Sequence, residues 1–183
     1  MITIFLTHAD AKIVKPDQFR ALSKKGRADV EKLAIRFHEV VESIVPSLFS
    51  KEVSIGEIFS SPQARCVETV VQFADAIREF TSSSEIHVRR ELNKKPSPLS
   101  SLDVISVIDG TSSQAVLLCT HGDLVGALPR NATLRQDVVD NDGWFIPSPV
   151  LALVEYERKS DWDKAIVLWC GSVAGNETFL ARP

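Results

Sequence analysis

Ile2-Thr3-Ile4-Phe5-Leu6-Thr7-His8 and Ala115-Val116-Leu117-Leu118-Cys119-Thr120-His121-Gly122 each run a short apolar segment directly into a histidine. Both segments are continuous rather than alternating, the pattern of strands buried on both faces of a parallel sheet. As parallel neighbours they bring both imidazoles to one carboxyl edge, which is where open α/β sheets bind ligands. Between them lies Ser60-Ser61-Pro62-Gln63-Ala64-Arg65-Cys66-Val67-Glu68-Thr69, a turn that opens a helix and carries one arginine. Two histidines and an arginine at one edge point to phosphate chemistry.

The rest of the chain alternates strands with helices. Val30, Leu33, Ala34, Phe37, Val40, Val41, Ile44 and Val45 recur at three-and-four spacing, which predicts an amphipathic helix over 23–45 that Pro46 closes. Residues 53–59 read as a second strand, and Val67, Val70, Val71, Ala74, Ile77 and Phe80 as the buried face of a second helix that opens near Pro62. A short strand is expected at 86–90, a helix at 99–108 and a central strand at 115–119, followed by a short helix after His121. Residues 150–156 and 165–170 form a final strand pair around a polar turn. Two polar stretches, 10–18 and 129–147, read as loops, the first bordering the site and the second placed to act as a lid, with Asn141-Asp142-Gly143 marking a turn inside it. The expected architecture is a layered α/β/α domain with a mainly parallel central sheet, spanning 1–183 as one domain.

Composition narrows the partners. The chain has 183 residues, 44% hydrophobic, which suffices for one domain with a sizeable core. Its 21 basic and 24 acidic side chains are interspersed, giving a net charge of −3 and no basic block for nucleic acid or an anionic membrane, so neither partner is expected. Cys66, Cys119 and Cys170 are odd in number and lack metal-ligand spacing, and two sit in apolar strands; they read as buried free thiols of a reducing compartment, the cytoplasm. Residues 1–6 are too short for a signal segment, and no stretch reaches the roughly 20 apolar residues of a membrane helix.

At these motifs the chain resembles the histidine phosphatase superfamily, the phosphoglycerate-mutase-like fold whose first strand ends in Arg-His-Gly. His8 stands at the family's nucleophile. Leu22-Ser23-Lys24-Lys25-Gly26 looks like the opening of the family's first helix, and Ser61-Pro62-x-x-Arg65-x-x-Glu68-Thr69 looks like its Ser-Pro-x-x-Arg-Ala-x-Gln-Thr segment. Thr120-His121-Gly122 resembles the second histidine motif, and residues 148–157 a late family strand. The chain departs from the pattern in three places: Thr7 replaces the arginine before the nucleophile, Ala9 replaces the glycine after it, and Leu92-Asn93-Lys94 carries lysine where smaller members place an acid. Threonine offers one neutral hydroxyl in place of a planar fork matched to phosphate, so the first exchange is not conservative.

The resemblance implies phosphoryl transfer through His8, with Arg65, Thr7, His8 and His121 around the phosphate, His121 assisting, and no metal or cofactor. Asp123, two residues after His121, is the first candidate acid; Glu91 is the second. Each has an ordinary alternative, a carboxylate at a helix start and a solvated rim residue respectively. Lys12, Lys15, Arg20, Arg130 and Arg135 are loop cations that could replace the missing arginine's charge, or simply be solvated. His38 and His87 read as surface residues. Two functions stay open: a metal-independent phosphatase acting on a small phosphomonoester or a phosphoprotein, and a catalytically impaired binding or regulatory module that keeps an anion site. A mutase is disfavoured because the chain is short.

Overall fold

The computed structural model describes residues 1–44, 54–93, 100–122, 149–158, 162, 164–173 and 177–179. In chain order the strands are β1 (Ile2–Thr7), β2 (Ile55–Ser60), β3 (Ile86–Val88), β4 (Ala115–Thr120), β5 (Val150–Glu155), β6 (Ile166–Ser172) and β7 (Glu177–Phe179). The helices are α1 (Lys24–Ile44), α2 (Ala64–Ala76) and α3 (Ser101–Ile108). The strands form one sheet in the order β3-β2-β4-β1-β5-β6-β7. The first four pair in parallel, whereas β5, β6 and β7 each run antiparallel to the preceding strand in that order. Five of the seven strands therefore point the same way, giving the mainly parallel sheet expected.

Crossover handedness places the layers. The chain steps in one direction across the sheet from β1 to β2 to β3 and reverses from β3 to β4. Right-handed crossovers then put α1 and α2 on one face and α3 on the other. The core divides accordingly. Ile4, Leu6, Leu117 and Cys119 pack with Leu33, Phe37, Val70 and Phe73 of α1 and α2. Their neighbours Phe5, Val116 and Leu118 point the opposite way and pack with Val104, Val107 and Ile108 of α3. Ser100 caps α3, its hydroxyl accepting from the Asp103 amide while the Asp103 carboxylate accepts from the Ser100 amide.

Two expectations shift. In α2 the buried face is Cys66, Val70 and Phe73 rather than the face containing Val71, which is exposed. Phe73 is the ring that meets Phe37 of α1, with centroids 5.8 Å apart. The strand expected at 86–90 ends at Val88, and Arg90–Leu92 turn as a short 3-10 helix. The short helix expected after His121 and the loop 129–147 fall outside the described residues. Among those residues no helix is long and apolar enough to cross a membrane.

Candidate active site

The strand order creates a switch point. The chain leaves β1 toward β2 on one side and leaves β4 toward β5 on the other, the arrangement beyond whose carboxyl ends open α/β sheets bind ligands. Thr7 pairs with Thr120 at the end of that ladder, and the residues that follow are His8 and His121. The His8 amide donates to the Thr120 carbonyl at 2.9 Å, carrying the parallel register one step into the site. The two imidazoles meet edge to face with ring centroids 5.2 Å apart.

Each histidine is oriented by a neighbour. His8 Nδ1 lies 2.9 Å from the Ala9 carbonyl, an acceptor only, so Nδ1 carries the proton and Nε2 the lone pair. Burial holds the His8 imidazole below its ordinary value of 6.5; Cys66 and the Ala9 carbonyl oppose this shift, and His121 and Arg65 add to it. A neutral imidazole with its lone pair on Nε2 is the state of a nucleophile. His121 Nε2 lies 3.0 Å from the Ser61 hydroxyl, and Cys66 Sγ lies 3.7 Å from the same nitrogen.

Arg65 enters from the first turn of α2, held at 3% exposure. Its Nη1 donates to the carbonyl and the carboxylate of Asp17, each at 3.1 Å, while Nε has no acceptor among the described residues. Glu68 does not pair with it; that carboxylate accepts instead from Arg27 at 2.7 Å and from the Leu22 amide at 3.1 Å. Thr69 accepts from the Ala9 amide at 3.1 Å and donates to the Arg65 carbonyl at 2.7 Å. In Ser61-Pro62-x-x-Arg65-x-x-Glu68-Thr69, then, Ser61 bonds His121 and Arg65 acts on the charge of His8, whereas Glu68 and Thr69 tie α2 to the start of α1 and to the segment after His8.

The Leu22-Ser23-x-x-Gly26 segment has its own logic. The Ser23 hydroxyl accepts from the Gly26 amide at 3.0 Å and donates to the Asp10 carboxylate, and the Ser23 amide donates to the Asp10 carbonyl at 3.0 Å. A Cβ on Gly26 would lie 2.1 Å from the Asp10 carbonyl oxygen, so only glycine lets α1 approach this loop so closely. The polar loop after His8 is thereby folded back over the site, where its short 3-10 turn Asp17–Phe19 reaches Arg65.

The structure brings together His8, His121 and Arg65. Thr7 is instead seen against β5: its hydroxyl accepts from the Val150 amide at 2.7 Å, and the residue is fully buried. Of the loop cations, Arg20 lies beside the cluster, donating to the other Asp17 carboxylate oxygen at 3.0 Å, while Lys12 and Lys15 are exposed. Asp123, Arg130 and Arg135 lie outside the described residues, as does Lys94. Glu91 is exposed in the 3-10 turn after β3. His38 and His87 are peripheral, His38 against Glu79 and Phe80 and His87 beside Phe59. All three cysteines are buried and free, as their strand and helix positions implied. Sequence reasoning assigned no role to Ser61, Cys66 or Asp17. The position of Ser61 just past the end of β2 was the one available signal.

Comparison with known proteins adds the fold's relatives. No family model matches the chain, and no curated protein matches it in sequence. Solved structures do match over nearly its whole length. A protein histidine phosphatase, SixA, complexed with tungstate superposes with a TM-score of 0.64 at 18% identity, covering 95% of this chain and 98% of that one. An Agrobacterium tumefaciens protein designated a phosphohistidine phosphatase SixA superposes at 0.60 and 20% identity, with 93% and 97% covered. The Bombyx mori ecdysone phosphate phosphatase, also with tungstate, superposes at 0.55 and 15% identity, with 91% of each chain covered. With two histidines and an arginine gathered at the sheet's switch point, this chain has the fold of the histidine phosphatase superfamily, the phosphoglycerate-mutase-like α/β/α architecture.

Proposed function

We propose that the chain is a phosphatase that hydrolyses a phosphomonoester or a phosphorylated protein side chain through a phosphohistidine at His8. The observation that carries this reading is a neutral, Nδ1-anchored His8 near a buried guanidinium whose Nε has no acceptor among the described residues. A buried donor left without an acceptor costs stability unless a ligand supplies one, and a phosphoryl oxygen is the acceptor that also suits two adjacent imidazoles. Tungstate, a tetrahedral oxyanion like phosphate, is bound by two relatives of the same fold, which favours an anion at this edge.

In the proposed reaction Nε2 of His8 attacks phosphorus in line, and the bond to the leaving oxygen breaks as the N–P bond forms. Charge on the three equatorial oxygens is stabilised by Arg65 and by His121, the latter held by Ser61. The leaving oxygen takes its proton from an acid, for which Asp123 is our first choice and Glu91 our second. Water then attacks phosphorus while its proton returns to that acid, and the N–P bond breaks to release phosphate and neutral His8. Every stabilising charge in this scheme comes from a side chain, so we expect turnover without a metal or cofactor. The two SixA-type relatives favour a phosphorylated protein as substrate; the ecdysone phosphate phosphatase keeps a small phosphomonoester in view.

The test is hydrolysis of p-nitrophenyl phosphate from acid to neutral pH, with and without EDTA, by wild type and His8→Ala. The proposal expects EDTA-resistant turnover that disappears with His8. Phosphate binding without turnover at any pH would favour the binding module instead.

A further inference from the structure

We propose that Asp17 is an internal latch on the anion site: its carboxylate holds Nη1 of Arg65, so a phosphoryl group engages the guanidinium in full only by displacing it. This rests on the phosphatase reading above. Asp17 bridges two guanidinium groups, Oδ2 accepting from Arg65 Nη1 at 3.1 Å and Oδ1 from Arg20 Nη1 at 3.0 Å. A carboxylate that accepts from two arginines through two oxygens uses guanidinium donors that a phosphoryl group also uses. Arg65 is a buried cation near enough to His8 to act on its charge, so the Asp17 carboxylate and a substrate phosphate compete for the same guanidinium.

The latch is built to open. Asp17, Gln18 and Phe19 form a 3-10 turn with no buried residue, and Phe19 is 64% exposed, so lifting the turn uncovers no core. What holds the turn is polar. Arg20 donates through Nε to the Lys12 carbonyl at 2.8 Å and through Nη2 to the Ala11 carbonyl at 3.2 Å. Those bonds keep Arg20 in place when Asp17 lets go of Arg65, so the carboxylate can stay on Arg20 as it swings outward. Asp17 itself is 59% exposed, and exposed ion pairs shift an equilibrium by only about fivefold or less. Substrate therefore displaces the latch at modest cost. The apparent affinity for phosphate is the intrinsic one reduced by the fraction of molecules with the latch open.

The experiment titrates inorganic phosphate by calorimetry into wild type, Asp17→Asn, Asp10→Asn and Arg65→Gln, each checked for folding by circular dichroism. Asp17→Ser is the substitute should the asparagine variant fold poorly. Asp10 lies on the same loop, bonds Ser23 and makes no bond to Arg65, so it controls for the loss of one negative charge. The latch expects Asp17→Asn to tighten phosphate binding about three- to fivefold, Asp10→Asn to change it less than about twofold, and Arg65→Gln to weaken it strongly. Equal tightening by Asp17→Asn and Asp10→Asn would reduce the effect to net charge and overturn the latch. Unchanged or weaker binding in Asp17→Asn, with binding still lost in Arg65→Gln, would make Asp17 a support for Arg65 and overturn the latch alone. Absence of phosphate binding in every protein would overturn the anion site, and the latch with it.

Discussion

Replacing Thr7 by valine separates the two roles open to this residue. The β1–β5 ladder runs from Ile2↔Glu155 to Leu6↔Leu151, and the next amide of β5, Val150, is met by the Thr7 hydroxyl at 2.7 Å. Valine has the shape of threonine without the acceptor, so Thr7→Val leaves a buried N–H unsatisfied. That costs about 1–3 kcal/mol. For a chain of 183 residues, each kcal/mol lowers the melting temperature by about 2–4 °C, so a drop of about 2–12 °C is expected. The fluorescence of the buried Trp162 and Trp169 reports the melt, and a phosphate titration on the same samples reports the site. Phosphate affinity should stay within about twofold of wild type if the buried hydroxyl serves β5 alone. An unchanged melting temperature with affinity reduced tenfold would refute this reasoning and return Thr7 to the phosphate.

Because burial holds His8 below 6.5, its NMR titration should fall in the acid range, and the acid limb of kcat/KM should lie below pH 6.5; a His8 midpoint at or above 6.5 would contradict the burial reading. The same shift makes stability fall on acidification: below about pH 6.5 the unfolded chain takes up this proton before the folded one, so His8→Gln should flatten the stability slope in that window. Gly26→Ala places a methyl 2.1 Å from the Asp10 carbonyl oxygen. Overpacking of about 1–3 kcal/mol outweighs a helix-propensity gain of about 1 kcal/mol, so the variant should melt below wild type, and an equal or higher melting temperature would show that the loop yields freely.

The site's frame was legible because few choices were left. Two continuous apolar runs can be buried only inside the sheet, and pairing them in parallel brings His8 and His121 together whatever the rest of the chain does. Arg65 followed from its place at the start of a helix that leaves the same edge. The register of α2 was less determined: Val67, Val70, Val71 and Ala74 fit the spacing of two overlapping stripes, and the contact of Phe73 with Phe37 of α1 chose between them. The β5 contact of Thr7 was not legible because the partner of its hydroxyl lies 143 positions along the chain, on a strand whose register the local pattern does not fix. Asp17 was invisible for the related reason that a polar loop's reach depends on how it folds back, here through Ser23, Gly26 and Asp10. The strand β7 spans three residues, Glu177-Thr178-Phe179, too few for a period to show.

Trapping the intermediate tests the central claim most directly. Wild-type protein mixed with p-nitrophenyl phosphate and quenched in alkali, which preserves phosphohistidine, should yield one modified peptide by mass spectrometry, with the phosphoryl group on His8 and lost again in mild acid. The label should be absent from His8→Ala. A phosphoryl group on any other residue, or full turnover by His8→Ala, would contradict the account.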